Sequence, residues 1–282
     1  MGRIAAGVIL FNPDLMRLRE NIEAIHTQVD LLVLIDNHSD NLAEIVREFS
    51  HFQNIVMIKN EQNLGIAKAL NQTLLYCQSK GYTWVLTLDQ DSVCPPNLII
   101  EYNKYIANPD VAILSPVIED RNMRATPPEE HVPSSCEPIN RCITSATLTN
   151  VKIWNELGGF DETMFIDLVD LEYCKRVQLN GYKILRINTV KLLHEVGHIT
   201  QPRLLFWRVQ VLNHSAFRKY YIARNTLYFA WKHRTRFSIL LAYLRVLKLL
   251  ALTMLYEQDK VTKSKAILRG VKSARKLSIG DT

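Results

Sequence analysis

Short apolar runs rich in β-branched residues alternate over the first 120 positions with longer segments whose apolar residues recur at helical spacing. Strand-like runs at 4–11, 31–36, 54–59 and 83–88 are interleaved with helix-like segments at 14–28, 40–50 and 66–80. This alternation predicts an α/β fold, a Rossmann-like, mostly parallel sheet with helices on both faces. Pro95 and Pro96 suit the opening of a further helix, and Val111 to Val117 reads as another strand. The repeat then stops. Positions 119–142, with Pro127, Pro128, Pro133 and Pro138 among many charges, read as a loop without regular structure. Beyond it come a polar strand at 143–150, a turn at Gly158-Gly159, an acidic helix at about 167–179 and a pair of strands over about 182–196. From about 216 the pattern is wholly helical, so the chain is expected to divide into an α/β domain, 1–215, and a C-terminal helical tail, 216–282.

Composition adds little until charge is split along the chain. At 282 residues, 48% hydrophobic and 22% charged, the sequence is ordinary for a globular protein and long enough for one large domain or two small ones. The net charge of +6 hides an asymmetry: 17 Lys and Arg stand against 25 Asp and Glu up to residue 200, and 17 against 3 beyond it. An acidic cup beside a basic surface for an anionic partner follows, with phospholipid and nucleic acid both qualifying. Five cysteines without a CxxC pair argue against a disulfide framework or a zinc knuckle and fit a reducing compartment. The opening apolar run ends in Asn12-Pro13-Asp14, as a strand entering a turn does, so a signal peptide is not expected and the sequons at Asn37, Asn71 and Asn213 are chance matches. No segment is expected to supply the roughly 18 to 20 uncharged apolar residues of a spanning helix.

In an open parallel sheet, ligands bind beyond the carboxyl ends of the strands. Here those ends are acidic: Asp36-Asn37-His38-Ser39-Asp40, Asn60-Glu61-Gln62-Asn63-Leu64-Gly65 and Asp89-Gln90-Asp91-Ser92. The absence of GxGxxG and GxxxxGK[ST] counts against a dinucleotide oxidoreductase or a P-loop ATPase. Asp89 and Asp91, brought together by a turn, can share a divalent cation and a ribose; hard oxygen ligands suit Mg²⁺ or Mn²⁺, with a substrate diphosphate completing the shell. Taken alone, the same DxD is more often a helix-capping turn. Asp167, Asp170 and Glu172 supply three further acids; on a helix Asp167 and Asp170 share a face while Glu172 turns away from Asp170.

These pieces, in order and with Gly158-Gly159-Phe160-Asp161 and Phe165-Ile166-Asp167-Leu168-Val169-Asp170-Leu171-Glu172-Tyr173-Cys174-Lys175-Arg176, resemble glycosyltransferase family 2, the inverting GT-A enzymes, over roughly residues 4–230. The form of the acidic motif, followed by His194-Glu195-Val196-Gly197 and by Tyr220-Tyr221 with Arg224-Asn225, is similar to the rhamnosyltransferase subgroup that builds bacterial surface polysaccharides. The resemblance implies that Phe11, Asn12 and Asp36 hold the nucleobase and that Asn63, Gly65 and Lys68 line the nucleotide pocket. It places Asp89 at the ribose, Asp91 and His194 at the metal, and Asp170 as general base with Asp167 next in line. Arg218 and Arg224 become candidates for the diphosphate, although a solvated basic helix face accounts for them equally well. The donor it implies is dTDP-rhamnose or a UDP-sugar, and the acceptor a saccharide or a lipid-diphosphate-linked sugar. Thr144-Ser145-Ala146 departs from the subgroup's Ser-Gly-Ser, so acceptor choice does not transfer from relatives.

The tail, 237–256, is Leu-rich but interrupted by Arg245 and Lys248 at i, i+3, a pattern suited to a helix lying in a bilayer interface. Lys260, Lys263, Lys265, Arg269, Lys272, Arg275 and Lys276 then suit anionic headgroups at the inner face of the plasma membrane, with the protein otherwise cytoplasmic. Packing on the domain or across a homodimer interface is the competing account of this helix. Two other functions compete: a nucleotidyltransferase making the nucleotide sugar, which calls for a Gly-rich basic loop after the first strand, and a nucleic-acid-binding protein using the basic tail, for which no recognisable motif is present.

Overall fold

The computed structural model describes residues 3–120, 134–194, 203–204, 207–208, 211, 213–234 and 236–280. Its elements run β1 (Ile4–Leu10), α1 (Leu15–Ile25), β2 (Leu31–Asp36), α2 (Leu42–Phe49), β3 (Ile55–Lys59), α3 (Ile66–Ser79), β4 (Trp84–Asp89), α4 (Leu98–Tyr102), β5 (Val111–Asp120), β6 (Cys136–Pro138), β7 (Thr147–Asn150), α5 (Val151–Glu156), α6 (Val169–Leu179) and β8 (Lys183–His194). After these come the short strands β9 (Arg203–Leu204) and β10 (Trp207–Arg208) and the helices α7 (Ala216–Lys232), α8 (Arg236–Tyr256) and α9 (Lys260–Gly280). They group into two compact units, one of residues 1–163 with 169–195, the other of 164–168 with 196–282.

In the first unit one sheet has the order β3-β2-β1-β4-β7-β5-β8-β6. β3, β2, β1 and β4 are parallel, β7 runs antiparallel between β4 and β5, and β8 is parallel to β5. β1 is buried along its whole length, as a central strand covered on both faces must be. Ala6, Val8 and Leu10 face Leu18, Ile22 and Ile25 of α1 and Ile45 and Phe49 of α2 within one continuous core. α3 covers the opposite face, where Gly7 lies against Thr73. Asp14 caps α1 by accepting from the amides of Met16 and Arg17, so the Asn12-Pro13-Asp14 turn both ends β1 and starts the helix.

Three expectations from the sequence are corrected. Part of the proline-rich stretch is ordered: β5 runs on to Asp120, and Cys136–Pro138 forms β6 on the sheet edge, where Pro138 removes no ladder donor that matters. Positions 121–133 lie outside the described residues. The expected pair of strands at 182–196 is one strand, β8, whose register against β5 jumps from Pro116↔Ile187 to Val117↔Lys191; the bulged residues mimic a turn in sequence. The acidic helix starts at Val169, not 167, because Asp167 and Leu168 take φ of 68° and 66°. Asp167 therefore does not share a helix face with Asp170.

The second unit is built around α7, α8 and α9. Ala223, Leu227 and Ala230 of α7 meet Ala242 and Val246 of α8 and Ile267 and Ala274 of α9. The small side chains allow close approach, and a Cβ at Gly270 would stand 2.4 Å from the Tyr220 carbonyl oxygen. A buried charge cluster pins the helix ends: Glu257, after α8, accepts from Lys219 of α7 and from Lys263 of α9, the latter at 2.9 Å. Lys263 is thus an internal ligand of Glu257 and is not available to headgroups. α8 is also long and apolar enough to cross a membrane by length and composition, although Arg245 and Lys248 interrupt the run Phe237–Tyr256, as the sequence indicated.

Candidate active site

The carboxyl ends of β1, β2 and β4 are laced together by side chains that the turns themselves supply. Asp36, fully buried at the end of β2, accepts from the backbone amides of His38 and Ser39 at 3.2–3.3 Å. The Ser39 hydroxyl accepts from the Asn12 amide at 2.9 Å, and the Asn12 side chain accepts from the Asp40 amide at 2.7 Å. Asn12 sits at φ 47°, and the Phe11 side chain before it is exposed. Phe11 donates its amide to Gln90 Oε1 at 2.9 Å, so the residue between the two DxD acids clasps β1. Buried Asn21 of α1 donates to the Asp89 carbonyl oxygen from below.

Asp89, the last residue of β4, and Asp91, on the turn that follows, stand half-buried. An antiparallel bridge pairs Val93 with Leu193, so the end of β8 carrying His194 runs past this turn. The His194 side chain lies outside the described residues. Ser92 and Ser145 share a 2.6 Å hydrogen bond beneath the turn, and the Tyr102 hydroxyl donates to the Ala146 carbonyl oxygen at 2.7 Å. Ala146 has φ 54°, so it holds the left-handed conformation that a glycine adopts without cost.

Asn63, Gly65 and Lys68 sit around the start of α3. Asn37 donates to Asn63 Oδ1 at 2.9 Å, and Asn63 Oδ1 also accepts from the Gly65 amide at 2.9 Å, with Gly65 at φ 83°. That is the geometry of a helix-entry turn, which the sequence allowed as the plainer reading of Asn63 and Gly65. Lys68 pairs with Glu162 at 2.9 Å with both side chains nearly half exposed. Burial raises the Glu162 pKa, but hydrogen bonds from Asn71 and Lys68 outweigh it and hold the carboxyl below its ordinary value.

Of the three acids in the second motif, only Asp170 opens α6 with a half-buried carboxylate, which accepts from the Leu171 amide at 2.8 Å. Glu172 is fully buried and bound by Arg176 through contacts of 2.7–2.9 Å. Asp167, which belongs to the helical unit, is gripped by Arg218 at 2.9–3.3 Å, and Asn225 donates to its carbonyl oxygen and to that of Ile166. Arg224 lies over the Tyr221 ring at 4.7 Å from its centroid and donates to Asn225.

Residues 8–164 match the model of glycosyl transferase family 2. The chain belongs to that family. It is 29% identical to dTDP-rhamnosyl transferase RfbF of Shigella flexneri over 240 residues, covering 79% of this chain and 78% of that protein. It is 30% identical to an uncharacterized glycosyltransferase of Haemophilus influenzae over 134 residues, 45% of this chain and 49% of the other. Among solved structures it is similar to GalNAc-T7 with UDP, GalNAc and Mn²⁺, with a TM-score of 0.61 at 15% identity over 82% of this chain and 50% of that one. It is also similar to S. aureus TarS 1–349 in complex with UDP-GlcNAc, with a TM-score of 0.56 at 14% identity over 98% of this chain and 82% of the other. The fold is therefore GT-A and the protein a glycosyltransferase, which sets aside both the nucleotidyltransferase and the nucleic-acid-binding protein.

Two residues to which the sequence reading gave no role hold this glycosyltransferase's Gly158-Gly159-Phe160 loop. Asn71 of α3 accepts from the Phe160 amide at 2.8 Å and donates to the Phe160 carbonyl oxygen at 2.9 Å. Arg176 reaches the carbonyl oxygens of Leu157 and Gly159 from α6. The i, i+4 spacing of Glu172 and Arg176 was a readable signal for half of this clamp; Asn71 lies 89 positions from Phe160 and left none. A Cβ at Gly159 would stand 2.9 Å from Asn71 Oδ1 at φ 73°, whereas at Gly158, φ 78°, it meets nothing within 4 Å. Gly158→Ala is expected to cost only the left-handed strain, about 1–2 kcal/mol, and Gly159→Ala more, because the clamp must also shift. Urea denaturation of the two variants checks the order.

Proposed function

We propose that this glycosyltransferase inverts the anomeric centre as it moves a sugar, L-rhamnose from dTDP-rhamnose, onto a hydroxyl of a saccharide or lipid-diphosphate-linked acceptor in bacterial surface polysaccharide (O-antigen) synthesis. The observation that carries the reading is the Asp170 carboxylate, half-buried in the first turn of α6 and oriented by the Leu171 amide at 2.8 Å. Similarity to a dTDP-rhamnosyl transferase along most of both chains favours the donor.

Asp170 takes the acceptor's hydroxyl proton as that oxygen attacks the anomeric carbon, and the electrons of the breaking glycosyl–phosphate bond leave with the nucleoside diphosphate. Phe11 and Asn12, with the Asp36 turn that fixes them, hold the nucleobase, and Asp89 faces the ribose. The helix-entry turn of Asn63 and Gly65, with Lys68 beyond it, borders the nucleotide, and Arg224 is a candidate for the diphosphate. Among the described residues no three His, Cys, Asp or Glu side chains form a ready-made metal cluster. Half-exposed Asp91 on a turn, with the His194 strand end beside it, fits a partial shell that a diphosphate completes. Mg²⁺ or Mn²⁺ held by Asp91 and His194 would neutralise the leaving diphosphate.

The protein would work at the cytoplasmic face of the inner membrane. Phe237, Leu240, Leu244, Leu247, Met254 and Leu255 of α8 are exposed on one side, and Lys260, Lys265, Arg269 and Lys272 of α9 are exposed as well. A homodimer formed through the same apolar face is the alternative cover for it. Incubation with dTDP-rhamnose, UDP-glucose and UDP-N-acetylglucosamine, with lipid-linked saccharide as acceptor, tests the donor: product from dTDP-rhamnose alone is expected, and product from a UDP-sugar alone would replace the assignment.

A further inference from the structure

α7 and α8 line an open cavity of about 270 Å³, to which Val211 and His214 ahead of α7 and Glu257 after α8 also contribute. Ile222 of α7 and Leu249 and Leu252 of α8 make its walls apolar. Arg245 and Lys248, one turn apart on α8, stand on the same lining, both exposed and neither with an ion-pair or hydrogen-bond partner among the described residues. Lys219 also lines it, but its ammonium is shared with Lys263 on the single carboxylate of Glu257, so that cluster keeps one positive charge. The cavity is therefore cationic at its mouth and apolar along its wall.

A ligand matching both properties is an anionic amphiphile. A free anion would satisfy the guanidinium and ammonium but leave the apolar wall facing water; a neutral chain would cover the wall but give the two cations no counter-charge. The volume falls just below the roughly 300–1,000 Å³ of whole small-molecule sites, which suits a headgroup and the first part of one chain and not a complete lipid. Leu252 has the exposed Leu255 as its i, i+3 neighbour on α8, so a chain leaving the cavity meets more apolar surface.

We propose that this cavity is a binding site for an anionic phospholipid of the bilayer, with the phosphodiester between Arg245 and Lys248 and the start of an acyl chain along Ile222, Leu249 and Leu252. The guanidinium offers a bidentate fork to phosphate, which the neighbouring ammonium reinforces. The proposal rests on the membrane-surface reading above and gives it a specific contact: α8 does not merely float on the interface, it takes one lipid out of it.

The test uses the full chain and dihexanoyl phosphatidylglycerol, titrated calorimetrically below its micelle concentration, together with flotation on phosphatidylcholine vesicles with and without phosphatidylglycerol. Saturable binding of the soluble lipid is expected, weakened roughly thirtyfold in Arg245→Gln/Lys248→Gln and also weakened by Leu252→Trp, which fills the cavity without changing charge. The two glutamine substitutions are at exposed positions, so folding is not at stake in them. Inorganic phosphate binding as tightly as the lipid, or lipid binding that neither variant alters, would overturn the proposal. Flotation without soluble-lipid binding overturns the cavity and leaves the membrane reading standing; soluble-lipid binding without flotation supports the cavity and removes the membrane reading.

Discussion

Asp170→Asn is expected to lower the transfer rate by about 10²–10⁴-fold, the usual contribution of a positioned general base, while nucleotide binding and thermal stability stay close to those of the parent. The amide keeps the shape of the carboxylate and can still accept from the Leu171 amide, which the native side chain does at 2.8 Å. It cannot take the acceptor's proton. Asp167→Asn makes the informative partner. Asp167 is held by Arg218 within the helical unit, so its amide loses an ion pair and not a base, and a much smaller fall in rate is expected. A parental rate in Asp170→Asn, measured by product formation at saturating donor, would move the base to another residue.

Glu257→Gln is expected to be the most destabilising single change in the helical unit. Glu257 is 1% exposed and Lys219 2% exposed, and the carboxylate is the shared partner of Lys219 and Lys263. Removing the central charge leaves two ammonium groups facing each other out of water, a loss of about 3–5 kcal/mol for a buried pair broken on one side. Burial raises the Glu257 pKa, but the two lysines outweigh it and hold the carboxyl below its ordinary 4.5. The sign of the pH effect follows: the stabilisation is complete above the unfolded-state value and fades as pH falls through the lower folded-state value. Urea midpoints of the parent should therefore drop on the acid side of pH 4.5, and Glu257→Gln should lack that part of the drop. Equal midpoints at neutral pH would show that the cluster is not holding the helices together.

Most of the sheet was readable because β1, β2 and β4 are buried apolar runs that stop at polar turns, edge strand β3 is an apolar run of the same kind, and the helices between them carry one apolar face. The acids at the ends of β2 and β4 were readable for the same reason: the chain changes from apolar to acidic where the sheet meets solvent. What escaped depends on partners distant in sequence. Gln90 looks like a spacer between two acids until it is seen to clasp Phe11, 79 positions away. Asn21 and Asn71 look like helix-surface residues, and both are buried donors to loop carbonyls. Nothing in local propensity marks Asp167 and Leu168 as left-handed; that conformation accompanies Asn225 capping the carbonyl oxygens of Ile166 and Asp167 from α7. β6 escaped because a three-residue strand containing proline has no period of its own and exists by pairing with β8.

Calorimetric titration of dTDP, UDP and GDP into the protein and its Asp91→Ala variant, with and without Mn²⁺, tests the nucleotide-sugar site most directly. dTDP is expected to bind the parent when Mn²⁺ is present, and this metal-dependent binding is expected to be lost in Asp91→Ala. Binding of no nucleotide, or metal-dependent binding that Asp91→Ala leaves intact, would contradict it.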